Sequence, residues 1–253
     1  MLHRGFRWSA LTATFALVLV TAGCGGSKPL NVTPSASTPA PPETPAEQLL
    51  GRVAAAKDAR YAAAYTLRTK GRPDRTVTVT LAADGGWSFA VPGGAHGGRR
   101  DVTLAGTDQG VFQCTGKGCV KIAGAGKPVP RAYDVRVQRP FVDWLDVLAD
   151  TRAALSVAGD TTFSVPIGDC FSVEPNAAAL APPMDAGIYC FDTDGVLTGA
   201  QFGGRSLVIS AAAGKPPKTL KLPAPVIAGK ALSTAPPPPK PTPIASPSPS
   251  KSR

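Results

Sequence analysis

The sequence predicts an α+β domain built on an antiparallel sheet. A helical pattern opens the domain, a run of short alternating segments follows, then a second helical pattern, then more short segments. Strands and helices therefore do not alternate one for one, which argues against a parallel sheet. Gly- and Asp-containing turn signals separate the short segments, as consecutive antiparallel strands require.

The first helix is announced by Thr44-Pro45-Ala46-Glu47, a capping box with proline at the first helical position. Leu49, Leu50, Val53 and Ala54 give it one apolar face. Strand patterns follow. Val77, Val79 and Leu81 alternate with threonines, and Trp87, Phe89 and Val91 alternate after the turn Asp84-Gly85-Gly86. Val102 and Leu104 start another strand, residues 111–114 and 119–122 form a hairpin, and Tyr133, Val135 and Val137 alternate once more. The second helix is predicted over residues 140–155. Phe141, Leu145, Leu148 and Leu155 fall on one side with Trp144 beside them, and Asp143, Asp146 and Asp150 fall opposite. Strands near residues 169–174, 187–192, 196–202 and 206–211 close the pattern, with turns at residues 192–195 and at Gly203-Gly204.

This domain, residues 46–229, is large enough for one core. Residues 1–23 read as a secretory leader: Arg4 and Arg7 form the basic region, residues 10–20 the apolar region, and Ala22-Gly23 the small residues before Cys24. The apolar run falls short of the roughly 20 residues a membrane span needs. Residues 24–45 hold Pro34, Pro39, Pro41, Pro42 and Pro45 among Ser, Thr and Ala, the composition of a tether. Residues 230–253 repeat that composition and read as a disordered basic tail.

The net charge is +10, or +8 without Arg4 and Arg7, and Lys230, Lys240, Lys251 and Arg253 place four of those charges in the tail. The folded part is only mildly basic and has no basic-aromatic patch, so nucleic acid is not an expected partner. Anionic headgroups or wall polymers suit the tail better. Asparagine occurs only at Asn31 and Asn176 in a chain rich in Ala, Gly and Pro, the bias of a high-GC genome such as an actinobacterium.

Four cysteines follow Cys24: Cys114, Cys119, Cys170 and Cys190. An even number in an exported chain reads as two disulfides, and four cysteines allow three pairings. Cys114 and Cys119 bracket the turn Thr115-Gly116-Lys117-Gly118, so they face each other across a hairpin, which favours Cys114–Cys119 and Cys170–Cys190. A metal is not expected: no histidine lies near either pair, and Cys-x4-Cys is a poor zinc spacing.

The stretch Thr21-Ala22-Gly23-Cys24 resembles the lipobox of bacterial lipoproteins. That resemblance implies acylation of Cys24, palmitate among the acyl groups, and anchoring to the extracytoplasmic face of the cell membrane. The whole order (lipobox, tether, amphipathic first helix, strand meander, second helix, closing strands) resembles the lipoprotein-carrier superfamily of LolA and the mycobacterial lipoproteins LppX and LprG. It implies a strongly twisted half-barrel with helices packed on its concave face and an apolar cavity between them. Trp87, Phe89, Phe141, Trp144, Leu145 and Leu148 are the candidate cavity-lining residues. The cysteine pairs and the single clear mid-chain helix depart from that family's pattern.

Catalytic chemistry is not expected. His96, the one histidine past the leader, sits in a Gly-rich loop with no orienting group beside it. Residues 110–117 have the wrong glycine spacing for a phosphate loop. Asp143, Asp146 and Asp150 read as a solvated helix face, and Asp192 and Asp194 lack the further ligands of a calcium loop. No cofactor is expected. The expectation is a membrane-anchored protein that binds or carries an apolar ligand, a lipid or lipoglycan. The alternative is a non-catalytic cell-envelope interaction module with a filled core.

Overall fold

The computed structural model describes residues 43–176 and 182–237. Cys24, the leader and most of the tether and tail lie outside the described residues. Helix α1 (Pro45–Asp58) is capped as its sequence predicts. The Thr44 hydroxyl accepts from the Glu47 N–H at 3.3 Å, and the Glu47 carboxylate accepts from the Thr44 N–H at 2.8 Å. The Thr44 N–H, together with the Thr44 hydroxyl that also donates to it, holds the Glu47 carboxyl below its usual value. α1 buries Leu49, Val53 and Ala56.

Eleven strands form one antiparallel sheet. They are β1 (Tyr61–Thr69), β2 (Arg75–Leu81), β3 (Trp87–Ala95), β4 (Arg100–Thr107), β5 (Gly110–Thr115), β6 (Gly118–Ala123), β7 (Leu155–Asp160), β8 (Asp169–Pro175), β9 (Gly187–Phe191), β10 (Leu197–Phe202) and β11 (Arg205–Ile209). Strands β1 to β6 make one meander and β7 to β11 a second. The two join through β1 and β11, in register from Tyr65 opposite Ile209 to Thr69 opposite Arg205. The result is an α+β fold, a curved antiparallel sheet with helices on its concave face. β1 lies at its centre, with Tyr61, Ala63, Tyr65 and Leu67 turned into the core.

The sheet order leaves β6 on one edge and β7 on the other. The chain between them, residues 124–154, must cross one face, and it crosses the face that carries α1. It does so with little regular structure. The strand expected at Tyr133–Val137 is absent. A single 3-10 turn, Arg131–Tyr133, stands there, and Arg136 takes a left-handed backbone with φ of 65°. Asp134 explains the difference: its carboxylate accepts from the Arg136 N–H at 2.7 Å, from the Gln138 amide at 2.8 Å and from Arg139 Nε at 3.0 Å. Those local bonds compete with sheet pairing and fold the segment into a turn.

The helix expected over residues 140–155 is also cut down, to α2 (Leu145–Ala149). Ahead of it the Phe141 and Val142 N–H groups both donate to the Gln138 carbonyl and the Trp144 N–H to Arg139, turns that replace a regular helical ladder. After Ala149 the Asp150 carboxylate accepts from the Arg152 N–H at 3.0 Å, which closes a turn in place of another helical bond. Leu155 belongs to β7. α1 and α2 pack on each other and are bridged by Lys57 and Asp146 at 2.6 Å.

After β11 the chain does not leave the domain. Residues 210–235 form a strap. Gly214 exchanges backbone bonds with Ala62, the Leu220 N–H donates to Asp84, and the Pro225 carbonyl and Ile227 N–H bond the backbone of Cys119 on edge strand β6. Leu222 and Ala224 cover Phe112, Cys114 and Cys119 on the outer face. The strap then turns to the inner face, where buried Gln113 donates to the Leu232 carbonyl at 2.9 Å and accepts from its N–H at 2.6 Å. Residue 230 is therefore not where the folded part stops: Leu232 to Thr234 are bonded into the domain, with the Thr234 N–H on the Ala132 carbonyl. The strap covers one edge of the sheet that would otherwise offer unpaired backbone to another chain.

Candidate functional site

The six residues expected to line a cavity are brought to one face, and most of them fill it. Phe89, Phe141, Trp144, Leu145 and Leu148 are all buried in the main core. Phe141 meets Tyr65 edge-on at 5.2 Å between centroids and Phe89 at 5.3 Å. Trp144 meets Tyr189 at 5.8 Å and Phe202 at 5.1 Å, both edge-on. These are the geometries aromatic rings prefer in a packed core. Phe89 packs on Trp87 as well, at 5.5 Å between centroids, and neither it nor Leu148 lines the groove. The crossover has put its own side chains where a ligand cavity was expected.

Space remains at one end of the strands. A groove of about 1240 Å³ runs between the β2–β3 and β4–β5 turns, the crossover and the strap. Its apolar lining includes Trp87, Val111, Val129, Val142, Trp144 and Leu220. Gly106 opens it: a Cβ there would sit 2.3 Å from the Trp87 ring, so the indole lies flat over that strand only because the residue is glycine. Five aspartates, Asp134 and Asp143 among them, with Lys127 and Arg139 supply a charged side. Arg139 pairs with Asp134 and lies 5.8 Å over the Trp144 ring. A smaller cleft of about 200 Å³ touches Trp87, Phe141 and Leu145 between the two helices and the β2–β3 turn. A third, of about 670 Å³, lies by Tyr61, Ile167, Val196 and Ile209.

Of the expected cavity residues, then, Trp87 and Trp144 line the groove, and Phe141 and Leu145 reach only the smaller cleft. Val129 and Val142 belong to the groove and were not among them. Val142 follows Phe141 in sequence, and a full helix would have turned it away from the sheet. The shortened helix puts it at the groove wall.

The titratable groups are structural. Tyr61 and Tyr65 share a hydroxyl contact of 3.2 Å, and Tyr65 donates to the Leu197 carbonyl at 2.6 Å. Burial pushes the Tyr61 phenol up to about 12 and Tyr65 well above its ordinary value, so both are neutral. Tyr189 donates to the Asp185 carbonyl at 2.7 Å and is raised by burial too. The three helix aspartates separate: Asp143 accepts from Gln138, Asp146 pairs with Lys57, and Asp150 holds Arg152. Asp192 accepts from the N–H groups of Asp194 and Val196 and so builds its own turn. The His96 N–H donates to the Ser233 carbonyl of the strap. Among the described residues no cluster of three or more His, Cys, Asp or Glu is placed to hold a metal ion.

Both disulfides join adjacent strands, Cys114–Cys119 across the β5–β6 hairpin and Cys170–Cys190 between β8 and β9.

No family model and no curated protein matches this chain. Among solved structures, LprF from Mycobacterium bovis aligns over 72% of this chain and 100% of its own, at 12% identity and a TM-score of 0.36. The likeness is a distant one of fold.

Proposed function

We propose that this chain is an extracytoplasmic lipoprotein, anchored through Cys24, that binds an amphipathic ligand with an apolar body in the groove beside Trp87 and Trp144. The groove itself carries this reading: its volume exceeds the usual range for small-molecule sites, and an apolar wall of Trp87, Val129 and Val142 faces a strongly charged one that includes Arg139. An aliphatic chain would lie against Trp87, Val129 and Val142, and a polar head would meet Arg139. The packed core keeps the ligand off the middle of the concave face. The Pro-rich tether sets the domain off from the membrane, and the basic tail is available to anionic wall polymers.

The chain has three tryptophans, and Trp8 falls in the leader. Tryptophan emission of the mature protein therefore reports on the groove. A brominated fatty acid should quench it saturably, and Val142→Arg should abolish the quenching with little loss of stability. Protein purified from its native membrane should carry a lipid beyond the acyl groups on Cys24, detectable by mass spectrometry. No quenching and no extra lipid would reject the groove reading and leave an interaction module with a filled core.

A further inference from the structure

A fourth pocket lies at the opposite ends of β2 and β3 from the groove. It holds about 280 Å³, several times the liquid share of a water molecule, roughly 30 Å³. Arg72, Arg75, Arg136 and Arg205 all line it. They come from the β1–β2 turn, the start of β2, the crossover and the start of β11.

These guanidinium groups are short of counter-charge. Among the described residues, no carboxylate lies within 4.0 Å of Arg72, Arg75 or Arg205. Arg136 has only Asp185, at 3.8 Å. Asp134 also reaches the pocket, but Arg139, Gln138 and the Arg136 backbone already occupy its carboxylate. Neutral oxygens position the arginines. Arg72 Nη2 donates to the Gly97 carbonyl at 3.0 Å, Arg75 Nη1 to Pro92 at 2.9 Å, Arg75 Nη2 to the Thr69 hydroxyl at 3.0 Å, and Arg205 Nη1 to Val135 at 3.0 Å. Arg75 Nε is buried with no partner at all.

Desolvation lowers the pKa of Arg75 and Arg205. Neighbouring cations add to it: Arg72 acts on Arg75, and Arg136 and Arg75 act on Arg205, where Asp134 and Asp185 oppose them more weakly. The glycines of residues 93–98 make the room. A Cβ at Gly98 would sit 2.5 Å from Arg72 Nη1, and one at Gly93 would sit 3.3 Å from Arg75 Nη1. The fold thus gathers like charges, fixes them and leaves space between them.

We propose that this pocket binds a phosphate group, as a monoester or diester, through the guanidinium forks of Arg72, Arg75, Arg136 and Arg205. A tetrahedral oxyanion offers several acceptors at once to planar donors, and it supplies the negative charge the cluster lacks. The pocket shares only Asp134 with the groove. Its phosphate is either a soluble ester or the headgroup of an anionic lipid.

The test uses the full chain in detergent micelles at low salt and follows thermal unfolding. Inorganic phosphate and glycerol phosphate should each raise the midpoint by binding the native state. Arg72→Gln/Arg136→Gln should weaken the apparent affinity roughly tenfold or more, the loss expected from charge-assisted hydrogen bonds. Arg136→Gln alone, which removes no bond to the fold from its guanidinium beyond the long contact to Asp185, should show a smaller loss in the same direction. Arg68→Gln, a cation paired with Asp74, should leave the response unchanged. A midpoint rise with phosphatidylglycerol-doped micelles but not phosphatidylcholine, competed by glycerol phosphate, assigns a lipid headgroup. A rise with the soluble esters alone assigns a soluble ligand. No rise with any of them, or a rise that both glutamine variants retain in full, overturns the proposal.

Discussion

Phe141→Ala separates a filled concave face from an open one. Phe141 is 4% exposed and stands between Tyr65 and Phe89, with ring centroids at 5.2 and 5.3 Å. Truncating a buried phenylalanine costs about 3–5 kcal/mol, from lost transfer energy and the cavity left behind. The two aromatic contacts, about 0.5–1.5 kcal/mol each, are part of that loss. Phe141 also borders the 200 Å³ cleft, so its surroundings can partly close over the gap. The expected loss is therefore near the lower end, about 3 kcal/mol. For a domain of this size that lowers the melting midpoint by roughly 6–12 °C. Urea unfolding with the disulfides intact measures it, with the slope unchanged if the unfolded state is unaffected. A loss under about 1 kcal/mol would mean that Phe141 lines open space, and the packing described above would be refuted. Leu148→Arg gives the companion result. Leu148 is also buried, so an unpaired charge there should abolish cooperative folding, and a folded variant that has lost only ligand binding would contradict a filled core.

Three further outcomes are expected. Cys170→Ala/Cys190→Ala should cost about 3 kcal/mol in the chain-entropy treatment and Cys114→Ala/Cys119→Ala less, because the sequence separations are 20 and 5; equal midpoint shifts would overturn that ranking. Gln113→Leu strips both backbone partners from Leu232, so hydrogen exchange at Leu232 and Thr234 should speed up while α1 stays protected; unchanged exchange there would show that the strap is held by other contacts. Cys24→Ala should abolish acylation and leave an unprocessed or released chain, and equal detergent partitioning of variant and wild type would count against a lipid anchor at that position.

The amino-acid sequence by itself determined the elements whose information is local. The capping box at Thr44 and Glu47, the alternating strands β2 to β5, the glycine turns and the cross-hairpin cysteines all depend on neighbours a few residues apart, and all are legible. Strand β1 is not legible, although it is the centre of the sheet. Its run Tyr61-Ala62-Ala63-Ala64-Tyr65 gives almost no contrast between faces, because alanine suits either side. The valines at 135 and 137 gave a false strand, because alternation cannot register that Asp134 ties its own backbone into a turn. The helix expected over residues 140–155 is too long for a similar reason: apolar periodicity survives in a segment whose start is taken up by turns onto Gln138 and Arg139 and whose end is closed by Asp150.

Only the tertiary structure decided what the concave face contains. Residues 124–154 connect opposite edges of an eleven-stranded sheet, so they must lie across one face, and their aromatic residues fill it. That left the groove to Trp87, Val129, Val142 and Trp144, and it left the arginine pocket to four arginines from three distant stretches of the chain. No local pattern marks either site. Each exists because strand order brings distant segments together, and strand order is settled by burial of the whole sheet at once, not by any one segment's preference.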